Sequence, residues 1–408
     1  MGFSTELLLI ILCSLVVLSY LFSIASRYIK VPSVLLLLFA GIGFRFLADY
    51  SGLRVVIPTS IVEALGVVGL IMIVLEAGLD LKITREKIPL VRNSFLTALL
   101  ILIFSTVSIA AILYFWLSED LTSCIVYALP LSIMSSSIVL PSIHDLTEGK
   151  REFLVYEASF SDILGIMLFN YFTASEILTL KSVGLFGFNL VIAIMASLVI
   201  SYVLFLILAR TKMTVKFFLI FSLLILIYSG GKMLHLPSLL IILVFGLMIN
   251  NWEQLPVKGI MAQFSSEKLD AIRGHLHSIT AESSFLIRTL FFVLFGYSID
   301  LQLLNNAEVV TVGSLIVAAL FVVRWLYLRY SFRTRVFPEV FFIPRGLITI
   351  VLFYKIPANL KLSTFNDGIL FFVILTTGII LSIGMILYKK PNTEVIEDPQ
   401  FSERKDIL

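Results

Sequence analysis

The chain has 408 residues, of which 59% are hydrophobic and 14% charged, and its mean hydropathy is +1.05. A soluble domain is about 25% charged and about 45–50% apolar, so this is the composition of a membrane protein. A formal net charge of +3 leaves no basic patch of nucleic-acid-binding size. Cys13 and Cys124 both lie in apolar runs, without redox or metal-ligand spacing, and His144, His235, His275 and His277 join no Cys or carboxylate at such spacing. Neither a metal centre nor any other cofactor is expected.

Breaking the chain at charged and Pro/Gly-rich turns predicts thirteen apolar segments: 6–26, 32–48, 61–79, 94–117, 123–142, 152–173, 184–209, 215–233, 237–250, 280–299, 308–330, 337–355 and 367–388. A bilayer needs about 20 apolar residues per helix, so the sequence implies an all-α polytopic membrane protein, with one transmembrane domain over 1–388. The first segment lacks the basic n-region and small-residue cleavage site of a signal peptide. Of the 30 Lys and Arg, 21 fall on the side shared with the C-terminus, 6 on the other, and Arg288, Arg324 and Arg345 inside segments. By the positive-inside rule the C-terminus is cytoplasmic and the N-terminus external, in the cell (inner) membrane. Between segments nine and ten, Leu269, Ile272, Leu276 and Ile279 share one face of a helix with a charged opposite face. That pattern suits a separate cytoplasmic helix, lying in the interface or connecting in solution. Residues 389–408 form a short polar cytoplasmic tail, too small to fold as a sensing domain.

Segments five and twelve are interrupted. Segment five reads A-L-P-L-S-I-M-S-S-S-I-V-L-P-S, with Pro130 and Pro141 around Ser135, Ser136 and Ser137. Segment twelve reads F-P-E-V-F-F-I-P-R-G-L-I-T-I, with Pro338, Pro344 and Gly346 around Arg345. Proline removes a backbone donor and breaks the helical ladder, and broken backbone at membrane depth is tolerated only where it lines a cavity or is buried in protein. Each is the fifth segment of its half (one to six, eight to thirteen, with seven as linker). This is the pattern of a transporter built from two inverted repeats with two crossing broken helices.

Segment six carries Asp162 within E-A-S-F-S-D-I-L-G-I. A carboxylate near mid-bilayer costs roughly 2.5–3.5 kcal/mol on insertion scales, and a bound proton or cation is the usual offset. Intramembrane acids are functional by default, and one group that holds either species is enough for exchange; the alternative is a structural carboxylate bonded to a neighbouring backbone. Glu157 lies five residues earlier, about 140° around the helix and about 7.5 Å along it, so the two acids occupy different faces.

Several ordered stretches together resemble the sodium/proton exchanger branch of the monovalent cation/proton antiporter superfamily: A-G-I after Pro32, L-E-A-G-L-D-L at 75–81, M-S-S-S-I-V at 134–139, E-A-S-F-S-D at 157–162, F-F-V-L-F-G-Y-S-I-D at 291–300 and P-R-G-L-I at 344–348. The resemblance implies exchange of Na⁺ or K⁺ for H⁺ in pH homeostasis, with the bilayer, protons and monovalent cations as partners. It also implies a homodimer of scaffold (about 1–92 and 184–299) and core (about 93–175 and 308–388). It assigns the cation and proton to Asp162, with Ser161, Ser137 and Glu76 as further candidates, and a structural ion pair to Glu157 and Arg345. Ser135, Ser136, Pro344 and Gly346 supply broken-helix backbone. Ser161 and Ser137 are equally suited to satisfying their own helices, Glu76 near a segment end to a structural role, and Arg288 to snorkelling toward the cytoplasm. Where relatives carry N-D and T-D-P, this chain has Ser161-Asp162 and Ser137-Ile138-Val139. The missing second acid implies electroneutral exchange. A sodium-coupled organic-anion transporter of related fold is the alternative, although the breaks are poor in Asn, Gln and Glu. A channel or ion-gated sensor lacks any filter motif, and a hydrolase using Ser137 and His144 lacks a supporting acid and oxyanion arrangement.

Overall fold

The computed structural model describes residues 5–51, 59–174, 180–210, 217–233, 238–254, 266–299, 302–303, 306–332 and 336–388. Among them are fourteen α-helices and no strand. They are α1 (Thr5–Ile29), α2 (Ser33–Tyr50), α3 (Thr59–Asp80), α4 (Ile88–Leu117), α5 (Leu121–Ser132), α6 (Ser136–Ser142), α7 (Glu148–Ala174), α8 (Leu180–Arg210), α9 (Phe217–Met233), α10 (Ser238–Asn250), α11 (Ser266–Ser298), α12 (Ala307–Phe332), α13 (Leu347–Tyr354) and α14 (Gly368–Leu387). Every predicted segment coincides with a helix or, in the two proline-interrupted cases, with a broken one. By length and composition, six helices among the described residues can cross a membrane unaided, α5 and α6 counting as one.

Local chemistry accounts for the ends that matter. Asp120 caps α5, accepting from the amides of Thr122 and Ser123 at 3.0 and 3.2 Å. Pro130 sits inside α5, and the chain leaves helical geometry at 133–135 before α6 begins. The second break runs through a 3₁₀ turn at Glu339–Phe341 and an unwound stretch to Gly346, where α13 starts.

One expectation fails. The amphipathic stretch at 266–279 is not a separate helix: α11 runs unbroken for 33 residues, about 50 Å. Leu269 and Leu276, the apolar stripe that suggested an interfacial helix, are each 3% exposed. The stripe packs within the protein, which removes the reason for a break.

The chain divides into two compact units, one of residues 1–66, 89–173 and 288–408, the other of 67–88 and 174–287. In the first, α12 packs on α14, α1 on α2, and α13 on α5. In the second, α10 packs on α8 and α9, and Ser201 Oγ donates to the Ile241 carbonyl at 3.1 Å. Large apolar side chains on the outer faces are exposed, for example Val107 and Phe115 on α4, Val199 on α8 and Leu226 on α9. Soluble monomers rarely expose such surface; in a bilayer it faces lipid.

Within the first unit, α2 and α11 touch backbone to backbone: a Cβ at Gly41 would collide with the Val293 carbonyl, and one at Gly296 with that of Leu38. Small residues at such crossings let membrane helices pack closely. Gly41→Leu should lower stability in detergent by about 1–3 kcal/mol, the usual penalty of overpacking. A thermal unfolding curve that matches the parent would show the crossing to be looser than described.

Candidate cation site

In an uninterrupted helix the amides of Met134, Ser135 and Ser136 would donate to the carbonyls of residues 130, 131 and 132. The break removes all three bonds, and each donor finds a partner elsewhere. Met134 N–H donates to Ser161 Oγ at 2.9 Å, and Ser136 N–H to Asp162 Oδ2 at 3.3 Å, both on α7. Ser135 N–H donates to the Pro344 carbonyl of the second break at 3.0 Å. The carbonyl that Ser135 would have used, Leu131 O, accepts from Arg345 Nε at 2.6 Å. The two broken helices thus complete each other through one donor and one acceptor.

Their close approach requires glycine at 346, where a Cβ would lie 2.5 Å from Ser135 Oγ and 3.0 Å from Ile138 Cδ1. On α7, Gly165 leaves room for Ile133, whose side chain would collide with any Cβ there.

Asp162 is 3% exposed. Its Oδ1 has no hydrogen-bond partner, and among the described residues it is in no ion pair. Beside it the Ser136 hydroxyl, fully buried, is also unpartnered. Ser137 points elsewhere: its hydroxyl pairs with Ser135 Oγ at 2.8 Å, and its carbonyl accepts from Arg288 Nη1 at 3.0 Å. Buried polar atoms without a partner are uncommon in native proteins, and here one belongs to the carboxylate and a second to the serine beside it. Together they form an oxygen-lined spot suited to a proton or to a hard cation.

The ion pair expected between Glu157 and Arg345 is not formed. Glu157 is paired with Arg324 of α12, bidentately, at 2.6 and 3.0 Å, and these side chains are 2% and 1% exposed. Arg345 is committed to backbone instead, donating to the carbonyls of Leu131, Ile343 (3.1 Å) and Pro344 (3.4 Å). The reason is the acceptors that the breaks release from helical bonding: a guanidinium has five donors in a fixed fork, and Arg345 stands amid three such carbonyls. Its own amide donates to Thr377 Oγ1 of α14 at 3.2 Å. Arg324 stands in the sequence as a cation inside an apolar segment, a position that calls for a partner. Arg288 does not snorkel either. It is 9% exposed and holds the Ser137 carbonyl.

Arg324 extends the pair outward. Its Nε donates to the Glu339 carbonyl at 2.6 Å, and the Glu339 carboxylate meets Lys150 Nζ of α7 at 2.8 Å. Glu157, Ser161, Arg324 and Arg345 also line a cavity of about 10 Å³, about the room one water needs. Glu76 lies in the second unit, partly buried on α3.

A family model described as "Sodium/hydrogen exchanger, transmembrane" matches residues 13–388. Among solved structures, that of the sodium proton antiporter MjNhaP1 from Methanocaldococcus jannaschii at pH 8 is similar with a TM-score of 0.70, at 18% identity, over 93% of this chain and 100% of that one. An electron-microscopy structure of the same antiporter gives a TM-score of 0.61 at 18% identity, over 96% of this chain and 100% of that one. No curated protein sequence matches. At this identity the structural likeness establishes the fold.

Removing one partner of a buried ion pair strands the other charge, at about 3–5 kcal/mol. Arg324→Met alone should therefore lower thermal stability strongly, and adding Glu157→Gln should recover much of the loss. Arg345→Met combined with Glu157→Gln should show no such recovery. A double-mutant cycle in detergent that couples Glu157 to Arg345 rather than to Arg324 would reverse the pairing.

Proposed function

Because this chain belongs to the sodium/hydrogen exchanger family, we propose that it exchanges Na⁺ or K⁺ for H⁺, with the Asp162 carboxylate holding proton and cation in turn. The observation that carries this reading is the single hydrogen bond to Asp162: one oxygen is tied to the Ser136 amide while Oδ1 is left bare in a buried site. A carboxylate so placed is stable only when neutralised. A proton on Oδ1 neutralises it, and so does a cation held there with help from hydroxyl oxygens. The two ligands exclude each other, and that exclusion couples their movements.

Ser136 is the hydroxyl we assign to the cation beside Asp162, with Ser161 as a second oxygen that also accepts from Met134. Ser137 contributes by holding Ser135 and Arg288 in place. Glu76 is proposed as a separate carboxylate on the ion path. Arg345 and Gly346 set the crossing of the broken helices, and the Glu157–Arg324 pair ties α7 to α12.

Crossing empty would expose the bare carboxylate charge to the low-dielectric interior, whereas the loaded forms are neutral. Alternating access then moves one cation against one proton. With Ser161 and Ile138 where similar exchangers carry Asn and Asp, no second acid stands at the break, which favours electroneutral exchange. The reading includes an external N-terminus, a cytoplasmic C-terminus, inverted-repeat halves, and a homodimer of core and scaffold parts in the cell membrane.

In proteoliposomes carrying a pH gradient, Na⁺, Li⁺ or K⁺ should collapse the gradient with wild-type protein and fail to do so with Asp162→Asn. Ser136→Ala should raise the half-saturating cation concentration about tenfold to 150-fold, as expected for the loss of one hydrogen-bond-strength contact to a charge, with a smaller effect on the maximal rate. An imposed membrane potential should leave the rate unchanged. Equal gradient collapse by wild type and Asp162→Asn would remove Asp162 from the reaction, and a clear voltage response would overturn one-for-one exchange.

A further inference from the structure

Helix α7 grips both breaks. Asp162 and Ser161 hold amides that the first break releases. Twelve residues earlier on the same helix, about 18 Å along its axis, Lys150 holds the entry to the second. Its Nζ donates to the Phe337 carbonyl at 3.0 Å and meets the two carboxylate oxygens of Glu339 at 2.8 and 3.0 Å. The Lys150 and Glu339 side chains are only 12% and 7% exposed, so the pair is built into the protein rather than laid on its surface.

After the 3₁₀ turn at Glu339–Phe341 the chain is unwound as far as Gly346. Its register therefore comes from groups outside it. Arg324 holds the Glu339 carbonyl at 2.6 Å, and Lys150 holds the Glu339 side chain. Phe342 and Ile343 are 0% and 2% exposed, packed in an interior that yields little. Beyond them the Pro344 carbonyl accepts from the Ser135 amide at 3.0 Å. The next residue, Ser136, carries the amide bonded to Asp162 and the unpartnered hydroxyl beside it. These contacts close a circuit: Lys150 to Glu339, along the break to Pro344, across to Ser135 and Ser136, on to Asp162, and back down α7. A shift at Lys150–Glu339 has to reappear within the circuit, and the longest contact there is the 3.3 Å bond from Ser136 to Asp162.

We propose that Lys150 and Glu339 are positioning residues for the cation site. They set the register of the second break, through it the placement of Ser136 against Asp162, and so the affinity for the cation, without touching the cation themselves. The inference rests on the antiport reading of Asp162 and Ser136, and adds to it a control point near the start of α7. A pair that only stabilised the fold would lower the unfolding temperature and leave cation binding to the folded protein unchanged.

The test is titration calorimetry with the purified full chain at alkaline pH, where protons compete least, using Na⁺, Li⁺ and K⁺ in turn. Lys150→Met combined with Glu339→Gln removes both buried charges and strands neither. Its dissociation constant should lie about two- to tenfold above wild type, no more than the loss of one ordinary hydrogen bond. Glu339→Asp, one methylene shorter, is the gentler variant and should shift the constant the same way. Added to Ser136→Ala, the paired change should raise the constant far less than the product of the separate effects, the mark of groups that act through one another. Gly41→Leu, which weakens the α2–α11 crossing instead, should bind as wild type. An unchanged constant in both variants, or effects that simply multiply with Ser136→Ala, would overturn the positioning role and leave the exchange reading standing. If wild type binds no alkali cation, or Asp162→Asn binds as tightly, the exchange reading itself fails and takes the positioning role with it.

Discussion

Backbone amides and carbonyls inside a bilayer must find partners within the protein, and that rule governs what surrounds residues 133–135. Interrupting segment five releases the amides of Met134, Ser135 and Ser136 and the carbonyl of Leu131. The second break answers two of these groups, through Pro344 and Arg345. Helix α7 answers the other two, through Ser161 and Asp162. Asp162 is therefore part of the solution to a backbone problem before it is part of any chemistry. Because a single amide engages only one of its oxygens, the same solution leaves the other available.

The buried charges fall into order around this arrangement. An arginine amid carbonyls released from helical bonding is more useful to them than to a carboxylate, so Arg345 serves the backbone and Glu157 turns to Arg324. The result is a chain of charged contacts from Glu157 through Arg324 and Glu339 to Lys150, which fixes α7, α12 and the entry to the second break. Asp162 stays outside that chain. Among the described residues no cation pairs with it, and the proposed exchange gives that role to a mobile one.

Much of this was legible in the sequence. Hydropathy located every long helix among the described residues, because burial in lipid imposes a length and composition that few other environments do. The prolines placed both breaks, and Asp162 stood out by its cost alone. The identity of the partner for Glu157 was not legible. Three arginines lay inside apolar segments, and the choice among them depends on which carbonyls a distant break leaves exposed. The same holds for Ser136 and Ser137: adjacent serines in a run differ only in where the unwound chain points them. The stretch at 266–279 misled for another reason, since a charged face on a helix signals water on one side without saying whether the helix ends there.

The claim at the centre of this account is that proton and cation compete for Asp162. Cation affinity measured by titration calorimetry at several pH values tests it directly. One proton displaced per cation bound predicts that the apparent dissociation constant rises about tenfold for each unit of pH on the acid side, levels off at alkaline pH, and that binding is lost in Asp162→Asn. A dissociation constant that ignores pH, or binding that survives the loss of Asp162, would contradict it.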